Sequence, residues 1–506
     1  VEVLVYKDRY ANQLYFDGAP DLRKFGGRSL VLTLDEKIQA VAEKELKRGV
    51  EEVSADHGFA IVMDVNNAEV LAMATWPGGD PEGGAKPSWG FRNPVVQDQF
   101  EPGSTMKVIT LAAALEEKKV ELHSLFKTGD GYRVGDKLIK DTHRREQVTA
   151  REAIKFSSNV AIAKIANRIG KKKLYAYLKE FGFGRPPNSG LVGEIKGTLA
   201  RPSRWSNVQF ANIAFGQGIA ATPLQVAAAI TAIGSGGIYR RPRLLRGVIS
   251  PGGERTTYHL EPGKRVVSKS TANKVLQAMA SVCKKGGTAP GARLPNYSIA
   301  GKTGTAQQVD PGSRGYSKTH WVASFAALVP AQKPRLAVFV AVDTPRKKHA
   351  RYPSIIIRTG GQIAAPIARE IVRFTLPYLH VPHSKGAPWL AVDDPERARR
   401  DKIKAQPKVV NADAEAENDD ADLFPPIKPE RHGGKATIPD LRGLPLTRAR
   451  LRLASLGFDM QPTGSGVVVE QRPVAGVLAP SGLKVNVKLM RFTEIAAAHG
   501  LRGGQL

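Results

Sequence analysis

Residues 101–107 read Glu-Pro-Gly-Ser-Thr-Met-Lys, and the assignment of the fold starts from this stretch. Ser104 follows a Pro-Gly turn and opens an apolar run, Thr105 to Leu115, that predicts a helix. The first turn of a helix presents unbonded backbone N–H groups, which favour negative charge. Lys107 falls one turn later on the same face, so its amine can reach the Ser104 hydroxyl. A serine beside a base is the arrangement that nucleophilic catalysis needs.

The Ser-x-x-Lys pattern alone is weak, because the chain contains three further matches. A free lysine has a pKa of about 10.4, so burial and nearby positive charge must lower it before it can act as a base. Ser124/Lys127 lacks a following apolar helix, and Ser281/Lys284 ends a helix, where anions are disfavoured. Ser481/Lys484 lies on a turn far along the chain. Context therefore selects Ser104 and Lys107.

A second polar triplet is Ser157-Ser158-Asn159. A capping box of Thr149 and Glu152 predicts a helix before it, and the run from Ala161 to Ile169 predicts one after it. A loop that carries a hydroxyl and an amide can relay a proton and hold a substrate amide. An ordinary loop between two helices is the alternative interpretation.

The third stretch is Lys302-Thr303-Gly304-Thr305, within an extended run at residues 297–307. Lysine and threonine alternate faces on a strand, while Gly304 permits close backbone approach. A peptide substrate could add along such a strand edge. A second Lys-Thr-Gly copy, at residues 127–129, runs into Asp-Gly and indicates a turn instead.

The order of predicted elements indicates an α+β fold with a site at the junction of its two parts. A helix after Asp35 precedes a hairpin at residues 59–65 and 70–75. Two adjacent strands come late, at residues 321–329 and 336–342, followed by a helix at residues 365–376. The stretch in between is predicted to be mainly helical.

Composition narrows the classes of function. The 506-residue chain has a formal net charge of +28, which suggests an anionic neighbour, but its Lys and Arg are dispersed and no nucleic-acid recognition motif occurs. A single cysteine, Cys283, excludes an internal disulfide, and no zinc-ligand spacing or Gly-x-Ser-x-Gly elbow is found. No apolar stretch is long enough to span a membrane. A cytoplasmic protein and an exported protein without its N-terminal anchor both fit.

Shifts in composition predict the domain boundaries. Residues 30–384 form the main domain, preceded by a remnant of another domain at 1–29. Residues 385–434, rich in Asn, Asp, Glu and Pro, predict a flexible linker. A small αβ unit follows at 435–490, and a tail at 491–506.

The chain resembles class B penicillin-binding proteins, most closely the division-type ones. Residues 101–107 match the nucleophile motif of that family over their whole length, and Ser157-Ser158-Asn159 is followed by valine, as is usual there. Residues 435–489 resemble a PASTA domain, and the main similarity covers about residues 30–382. Further matches are Phe-Gly-Phe-Gly at 181–184, Phe-Gly-Gln-Gly-Ile at 215–219, Thr-Pro-Leu-Gln at 222–225, residues 301–307 and residues 361–366.

The resemblance implies a penicillin-binding and serine β-lactamase-like fold, an antiparallel sheet plus a helical subdomain, and a peptidoglycan D,D-transpeptidase activity. Ser104 would attack the D-Ala-D-Ala carbonyl of a stem peptide, and Lys107 would take its proton. Ser157 and Asn159 would relay the proton and position the substrate, with Lys302 contributing electrostatics nearby.

The remaining roles also follow from the resemblance. Thr303, Gly304 and Thr305 would bind the substrate, with both threonines on its terminal carboxylate. The backbone N–H groups of Ser104 and Thr305 would form the oxyanion hole. An amine from a neighbouring strand would resolve the acyl-enzyme, β-lactams would acylate the same serine, and no cofactor would be needed.

Partners and location are implied in the same way. The family acts in septal wall synthesis with divisome membrane proteins, including a lipid II polymerase, and not with nucleic acid. One N-terminal helix, absent from this chain, would anchor it to the plasma membrane with the catalytic domain on the extracytoplasmic, periplasmic side. Two departures from the family are the missing N-terminal pedestal and an altered stretch at residues 349–358.

Two other functions compete with this assignment. A β-lactamase or D,D-carboxypeptidase would deliver the acyl group to water, although no glutamate-bearing loop that activates water is identified. A β-lactam sensor or a scaffold domain would not be an enzyme, and a sensor would retain the three motifs. The PASTA-like unit is expected either to bind wall peptides or partners, or to act as a spacer.

Overall fold

The computed structural model describes residues 27–77, 92–309, 315–347 and 356–384, and then residues 435–442, 446–454, 456–464, 467–480 and 482–490. The chain divides into two compact units, Val1–Gln406 and Pro407–Leu506. The predicted flexible linker, the C-terminal tail, most of the N-terminal remnant and most of residues 349–358 lie outside the described residues. The domain boundaries therefore stay predictions.

The first unit contains ten α-helices among its described residues. Short 3₁₀ turns add Gly103–Met106, Pro202–Arg204, Ser281–Cys283 and Pro290–Ala292. The helices are α1 (Glu36–Glu52), α2 (Pro94–Gln97), α3 (Lys107–Glu116), α4 (Ala150–Lys155), α5 (Asn159–Ile169), α6 (Lys171–Glu180), α7 (Asn207–Ala214), α8 (Pro223–Gly234), α9 (Lys269–Ala280) and α10 (Ala364–Tyr378).

Its described strands are mostly short, and the five with seven or more residues form one sheet. They are β1 (Ser29–Leu32), β2 (His57–Asp64), β3 (Val70–Trp76), β4 (Leu125–Lys127), β5 (Tyr132–Val134), β6 (Lys137–Ile139), β7 (Gln147–Thr149), β8 (Ile238–Tyr239), β9 (Leu245–Ile249), β10 (Arg255–Thr257), β11 (Lys264–Arg265), β12 (Ala300–Val309), β13 (Tyr316–Val329) and β14 (Leu336–Asp343).

An antiparallel five-stranded sheet in the order β12-β13-β14-β2-β3 forms the centre of this unit. Each residue of β14 is buried, so the sheet is covered on both faces. On β2, a Cβ at Gly58 would meet Leu46 and Val50 of α1, whereas Met63 contacts Thr231 of α8. Gly58 and Met63 are an odd number of residues apart on β2, so they lie on opposite faces of the sheet, and α1 and α8 cover those two faces. The predicted hairpin and the two late strands are confirmed, and the fold class is α+β.

A helical region is inserted between β3 and β12, and α3 is its central helix. The nine residues from Lys107 to Leu115 are all buried, because the helix packs against α5, α6 and α9. The prediction of a mainly helical insertion was incomplete, since the pairs β4–β7 and β5–β6 and the sheet β1-β9-β10 also lie there or border it. Three-residue strands are too short to give an alternating pattern that predicts them.

The second unit has its own sheet and core. It contains helix α11 (Leu446–Ala454), and strand β16 (Asp459–Gly464) pairs parallel with β19 (Lys484–Met490). Pro462 and Gly464 lie within β16 and weaken its strand pattern in the sequence. The other strands are β15 (Lys435–Thr437), β17 (Val467–Arg472) and β18 (Leu478–Pro480).

Within the described ranges, none of the helices combines the length and the apolar composition that crossing a membrane requires.

Candidate active site

The turn before α3 presents Ser104 at the surface of the fold. Ser104 is half-buried and lies in the 3₁₀ turn Gly103–Met106, so the α-helix begins at Lys107 and not at Thr105 as predicted. Gly103 has a φ of +55° and donates its N–H to the Gly216 carbonyl over 3.0 Å. A Cβ at Gly216 would lie 2.0 Å from the Gly103 oxygen, so only glycine permits this close backbone packing.

Glu101 ties the same turn to two neighbouring segments. Its carboxylate accepts the Gly218 N–H over 2.7 Å and the Tyr316 hydroxyl over 3.0 Å. Burial raises the pKa of Glu101, while these two hydrogen bonds oppose the rise. The turn is therefore fixed on one side by the segment after α7 and on the other by the start of β13.

Lys107 is completely buried beneath Ser104. Its amine donates to the Ser157 carbonyl and to Asn159 Oδ1, both over 2.6 Å, and lies 3.2 Å from Ser157 Oγ. Ser104 is not among its hydrogen-bond partners in the described residues. Burial lowers the pKa of Lys107 to about 7, although the negative charge of Asp141 opposes the shift. A substantial fraction of this amine is therefore neutral at neutral pH.

Lys302 approaches the same hydroxyl from β12. Its side chain is completely buried, and its amine lies 2.9 Å from Ser157 Oγ and 2.8 Å from the Thr303 carbonyl. Burial and the nearby charge of Lys107 lower the pKa of Lys302 well below its usual value. Two like charges in one dry site repel each other, so the pair disfavours the doubly protonated form.

The loop between α4 and α5 places Ser157 between the two lysines. The predicted capping box of Thr149 and Glu152 is confirmed at the start of α4. Ser157 itself has a φ of +59°, a left-handed conformation that is uncommon outside glycine and costs on the order of 1 kcal/mol. This conformation lets both its carbonyl and its hydroxyl receive hydrogen bonds from Lys107.

Sequence reasoning missed Asp141, which holds this loop in place. Its carboxylate accepts the Asn159 and Val160 N–H groups over 2.6 and 3.0 Å and the Ser158 hydroxyl over 2.5 Å. It thus supplies the negative charge that the first turn of α5 favours. Asp141 stands 16 residues before Ser157 in a polar segment, and no spacing rule connects the two.

The threonines of β12 line the opposite part of the site. Thr303 Oγ1 lies 2.8 Å from Thr288 Oγ1, and Thr305 Oγ1 accepts the Gly360 N–H over 3.4 Å. A Cβ at Gly304 would lie 2.2 Å from Ser324 Oγ and 3.3 Å from the Pro102 carbonyl. Gly304 therefore lets β12 lie close against the Ser104 turn.

These groups surround a single cleft of about 640 Å³. Ser104, Ser157, Asn159, Thr303 and Thr305 line it, while Lys107 and Lys302 lie beneath. The structure thus brings the sequence-predicted residues together, and β12 is the end strand of the described central sheet. Further lining comes from Gly103, Asp141, Thr142, His143, Arg145, Phe156, Ser158, Phe215, Gln217, Gly286, Gly287, Thr288, Thr359 and Gly361.

Among the residues that the structure describes, the other copies of the motifs do not line this cleft. Lys127 ends β4, and Ser281 starts a 3₁₀ turn after α9. Ser481 lies outside the described residues. Among the described residues there is also no group of three His, Cys, Asp or Glu side chains that could hold a metal ion.

Comparison with known proteins gives two family matches. Residues 58–373 match the penicillin binding protein transpeptidase domain, and residues 436–489 match the PASTA domain. The first match covers more than half of the chain and contains every residue placed in the cleft.

Individual relatives agree with these matches. Stage V sporulation protein D of Bacillus subtilis is 32% identical over 481 residues, which cover 93% of this chain and 67% of that protein. Peptidoglycan D,D-transpeptidase FtsI of Escherichia coli is 35% identical over 372 residues, which cover 73% of this chain and 59% of that protein. The chain thus spans about three fifths to two thirds of the length of these curated relatives.

A solved structure shows the same fold. Penicillin binding protein 3 from Mycobacterium tuberculosis, complexed with aztreonam, superposes with a TM-score of 0.66 at 30% sequence identity. The match covers 72% of this chain and 82% of that one. From the family match, the relatives and the shared fold, the chain belongs to the penicillin-binding protein transpeptidase family.

Proposed function

We propose that this protein is a serine D,D-transpeptidase that cross-links peptidoglycan stem peptides through an acyl-enzyme on Ser104. The observation that carries the proposal is the sharing of one hydroxyl, Ser157 Oγ, by two buried lysine amines beneath the Ser104 turn. This arrangement provides a base and a proton path without histidine. The relative named peptidoglycan D,D-transpeptidase supports the same reaction.

In the acylation step, neutral Lys107 accepts the proton of Ser104, directly or through Ser157. Ser104 Oγ bonds to the carbonyl carbon of the penultimate D-Ala, and the C–N bond to the terminal D-Ala breaks. The departing amine takes up the proton, so D-Ala leaves as a neutral amine. An amine of a second strand then attacks the ester, and Ser104 regains its proton through the same groups.

The cleft also provides for substrate binding and charge stabilisation. The backbone N–H groups of Ser104 and Thr305 form the proposed oxyanion hole. The two residues come from segments that lie close together, because a Cβ at Gly103 would be 3.7 Å from the Thr305 carbonyl. Thr303 and Thr305 bind the terminal carboxylate. Asn159 holds the substrate amide, and Gly304 allows the peptide to lie along β12.

Transfer to water is the competing reaction, as in a β-lactamase or D,D-carboxypeptidase. A sensor that keeps its acyl group would show the same acylation but no turnover. The relatives' names favour the transpeptidase, because the Escherichia coli relative is named a peptidoglycan D,D-transpeptidase.

The site of action follows from the substrate. Peptidoglycan lies outside the plasma membrane, so we place the catalytic domain on the extracytoplasmic side, held by an N-terminal anchor and acting in septal wall synthesis with divisome membrane proteins. The similarity to FtsI supports this role, while the similarity to a sporulation protein favours a role in sporulation. Depletion in the parent organism separates them, because loss of septal synthesis blocks division in growing cells.

The first test is covalent labelling with a fluorescent penicillin, followed over time by gel and by peptide mass. We expect persistent label on the Ser104 peptide, absent from Ser104→Ala, and its release by an added amine acceptor. Rapid spontaneous loss would indicate a β-lactamase, and resistance to every amine would favour a sensor. No label on folded protein would refute Ser104 as the nucleophile.

A further inference from the structure

The wall of the cleft beside Ser157 carries a cation that the proposed chemistry leaves unused. Arg145 precedes β7, and its guanidinium carbon lies 3.8 Å from the centre of the Phe156 ring. Phe156 follows α4 and directly precedes Ser157. Arg145 and Phe156 both line the cleft that contains Ser104.

Arg145 has no acidic partner in the part of the chain that the structure describes. Its neighbour Arg144 pairs with Glu146 over 3.2 Å and with Asp130 over 3.8 Å. Asp141, the acidic residue of the cleft, already accepts three hydrogen bonds from the α5 segment. The charge of Arg145 is therefore not neutralised within the described protein.

Stacking on Phe156 leaves the N–H groups of the Arg145 guanidinium available to bind an anion. A guanidinium that lies over an aromatic ring is held by its face, so the N–H groups at its edge stay free. This planar edge matches a carboxylate in a bidentate arrangement. Arg145 is thus partly oriented before any ligand arrives.

The terminal carboxylate of the peptide substrate is already assigned to a different part of the cleft. In the proposed function it lies against Thr303 and Thr305 of β12, whereas Arg145 and Phe156 flank the Ser157 loop. The two buried lysines cannot serve a second anion, because their amines are engaged beneath the cleft by Ser157, Asn159 and the Thr303 carbonyl. Arg145 is left as a separate anion-binding group.

We propose that Arg145, held against Phe156, binds a second carboxylate of the peptide substrate, distinct from the terminal one. The inference rests on the proposed transpeptidase function and names a specificity determinant of that same cleft. Two sources present such a group: an acidic residue upstream in the donor peptide, and a carboxylate beside the attacking amine of the acceptor.

The test uses the whole chain as wild type, as Arg145→Gln, and as Arg144→Gln for a matched control. Two synthetic peptides ending in D-Ala-D-Ala differ only in a free carboxylate or a carboxamide on an upstream residue. Each peptide competes with fluorescent penicillin for Ser104, which measures binding without requiring turnover. A second arm resolves the acyl-enzyme with a D-amino acid or with its amide.

We expect Arg145→Gln to weaken one of two measured effects by about tenfold or more. The effect is either the protection of Ser104 by the acid peptide or the resolution of the acyl-enzyme by the D-amino acid. The result for the matching amide should change by less than twofold. Arg144→Gln should leave both unchanged. A loss confined to the donor arm assigns the carboxylate to the donor, and a loss confined to the acceptor arm assigns it to the acceptor.

Equal losses for acid and amide, or no loss in either arm, would overturn the inference, as would failure of the acid peptide to protect wild-type Ser104. Failure of the proposed function itself has a different signature, since wild-type protein would then take up no penicillin label, lose its label spontaneously, or keep it in the presence of every amine.

Discussion

At the scale of single residues, one hydroxyl organises the site. Ser157 Oγ lies 3.2 Å from the Lys107 amine and 2.9 Å from the Lys302 amine, and both lysines are completely buried. Desolvation lowers both pKa values, and the charge of Lys107 lowers the pKa of Lys302 further. One neutral amine is therefore available as a base at a pH where an exposed lysine would be protonated.

The rate of acylation by a β-lactam should depend on pH through Lys107. The protonated amine cannot accept the proton of Ser104, so the rate should fall about tenfold per pH unit below the pKa and reach a plateau above it. Because the pKa of Lys107 is lowered to about 7, the midpoint should lie near pH 7. Stopped-flow measurement of acylation from pH 5 to 9 would give the profile.

The Lys302→Met variant provides the control for this profile. The pKa of Lys107 is set by its burial and by Asp141, whereas the charge of Lys107 acts on Lys302. Lys302→Met should therefore lower the rate and leave the midpoint near pH 7. A midpoint that moves with this variant would show that the profile reports Lys302.

Asp141→Asn should act on both charge and structure. Asp141 raises the pKa of Lys107, so its neutralisation should move the midpoint of the acylation profile to lower pH. The variant also weakens the charged hydrogen bonds at the start of α5, at a cost of about 1–2 kcal/mol in the free energy of unfolding. Denaturant titration and the pH profile would measure the two effects.

The exposed Asp136→Asn is the matched control for that change. Asp136 lies between β5 and β6, and its side chain is 79% exposed, so neither the stability nor the midpoint should change. A shift of the midpoint in both variants would mean that the effect is not local to the cleft.

The contrast between Lys107 and Asp141 shows what the sequence could predict at this scale. Lys107 is separated from Ser104 by one helical turn, so a local rule places it. Asp141 reaches Ser158 and Asn159 across a segment that contains β7 and α4, and its position depends on tertiary packing. Arg145 was missed for the same reason.

At the scale of elements, the site depends on segments that pack backbone against backbone. The turn at Gly103 lies on the segment at Gly216, and Gly304 of β12 lies on Pro102 and Ser324. A Cβ at Gly360 would lie 1.9 Å from the Ser324 carbonyl, so a further segment closes against the same strands. Small residues at these positions set the width of the cleft.

Gly216→Ala should disturb the Ser104 turn. Its φ is +89°, and the new Cβ would lie 2.0 Å from the Gly103 oxygen, so the turn must move. We expect the acylation rate to fall at least tenfold and the free energy of unfolding to fall by about 1–3 kcal/mol. Penicillin labelling rates and thermal unfolding would measure these changes.

Gly190→Ala separates steric clash from backbone strain. Gly190 has a φ of +99°, but no atom lies within 4 Å of the position of its Cβ. It should lose only about 1 kcal/mol of stability, with no change in acylation. Equal effects of the two variants on acylation would contradict a role of close packing at Gly216.

Long elements were predictable, and short ones were not. Strand β14, with eight buried residues, and helix α10 gave clear apolar patterns. The three-residue strands β4 to β7 carry too few residues for a period to show. The parallel pairing of β16 with β19 is set by the packing of the second unit and not by either strand alone.

At the scale of the whole molecule, two separate cores stabilise the chain. The first contains the central sheet and the helical insertion, and the second includes Leu441, Leu453, Phe458 and Val485. The second unit is small and has a small core, so its free energy of unfolding is expected to be a few kcal/mol. The two units should therefore respond separately to core substitutions.

Phe458→Ala should unfold the second unit without affecting the active site. Phe458 is 2% exposed, and removal of a buried phenyl ring costs about 3–5 kcal/mol. Calorimetry should show loss of one transition, while penicillin acylation of Ser104 stays at the wild-type rate. The matched change Phe339→Ala, in the central sheet, should lower the fraction that can be acylated.

A parallel fall in acylation with Phe458→Ala would show that the C-terminal unit supports the catalytic one.

The shared Ser157 hydroxyl also limits how this protein can vary under antibiotic selection. Exchange of lysine for arginine needs only one nucleotide change, but arginine does not lose its proton in proteins. Neither Lys107 nor Lys302 can therefore be replaced by arginine and still provide a neutral base. For the proposed function, substitutions that weaken β-lactam binding and keep cross-linking are therefore expected at the rim of the cleft, among side chains that a drug touches and the proton path does not.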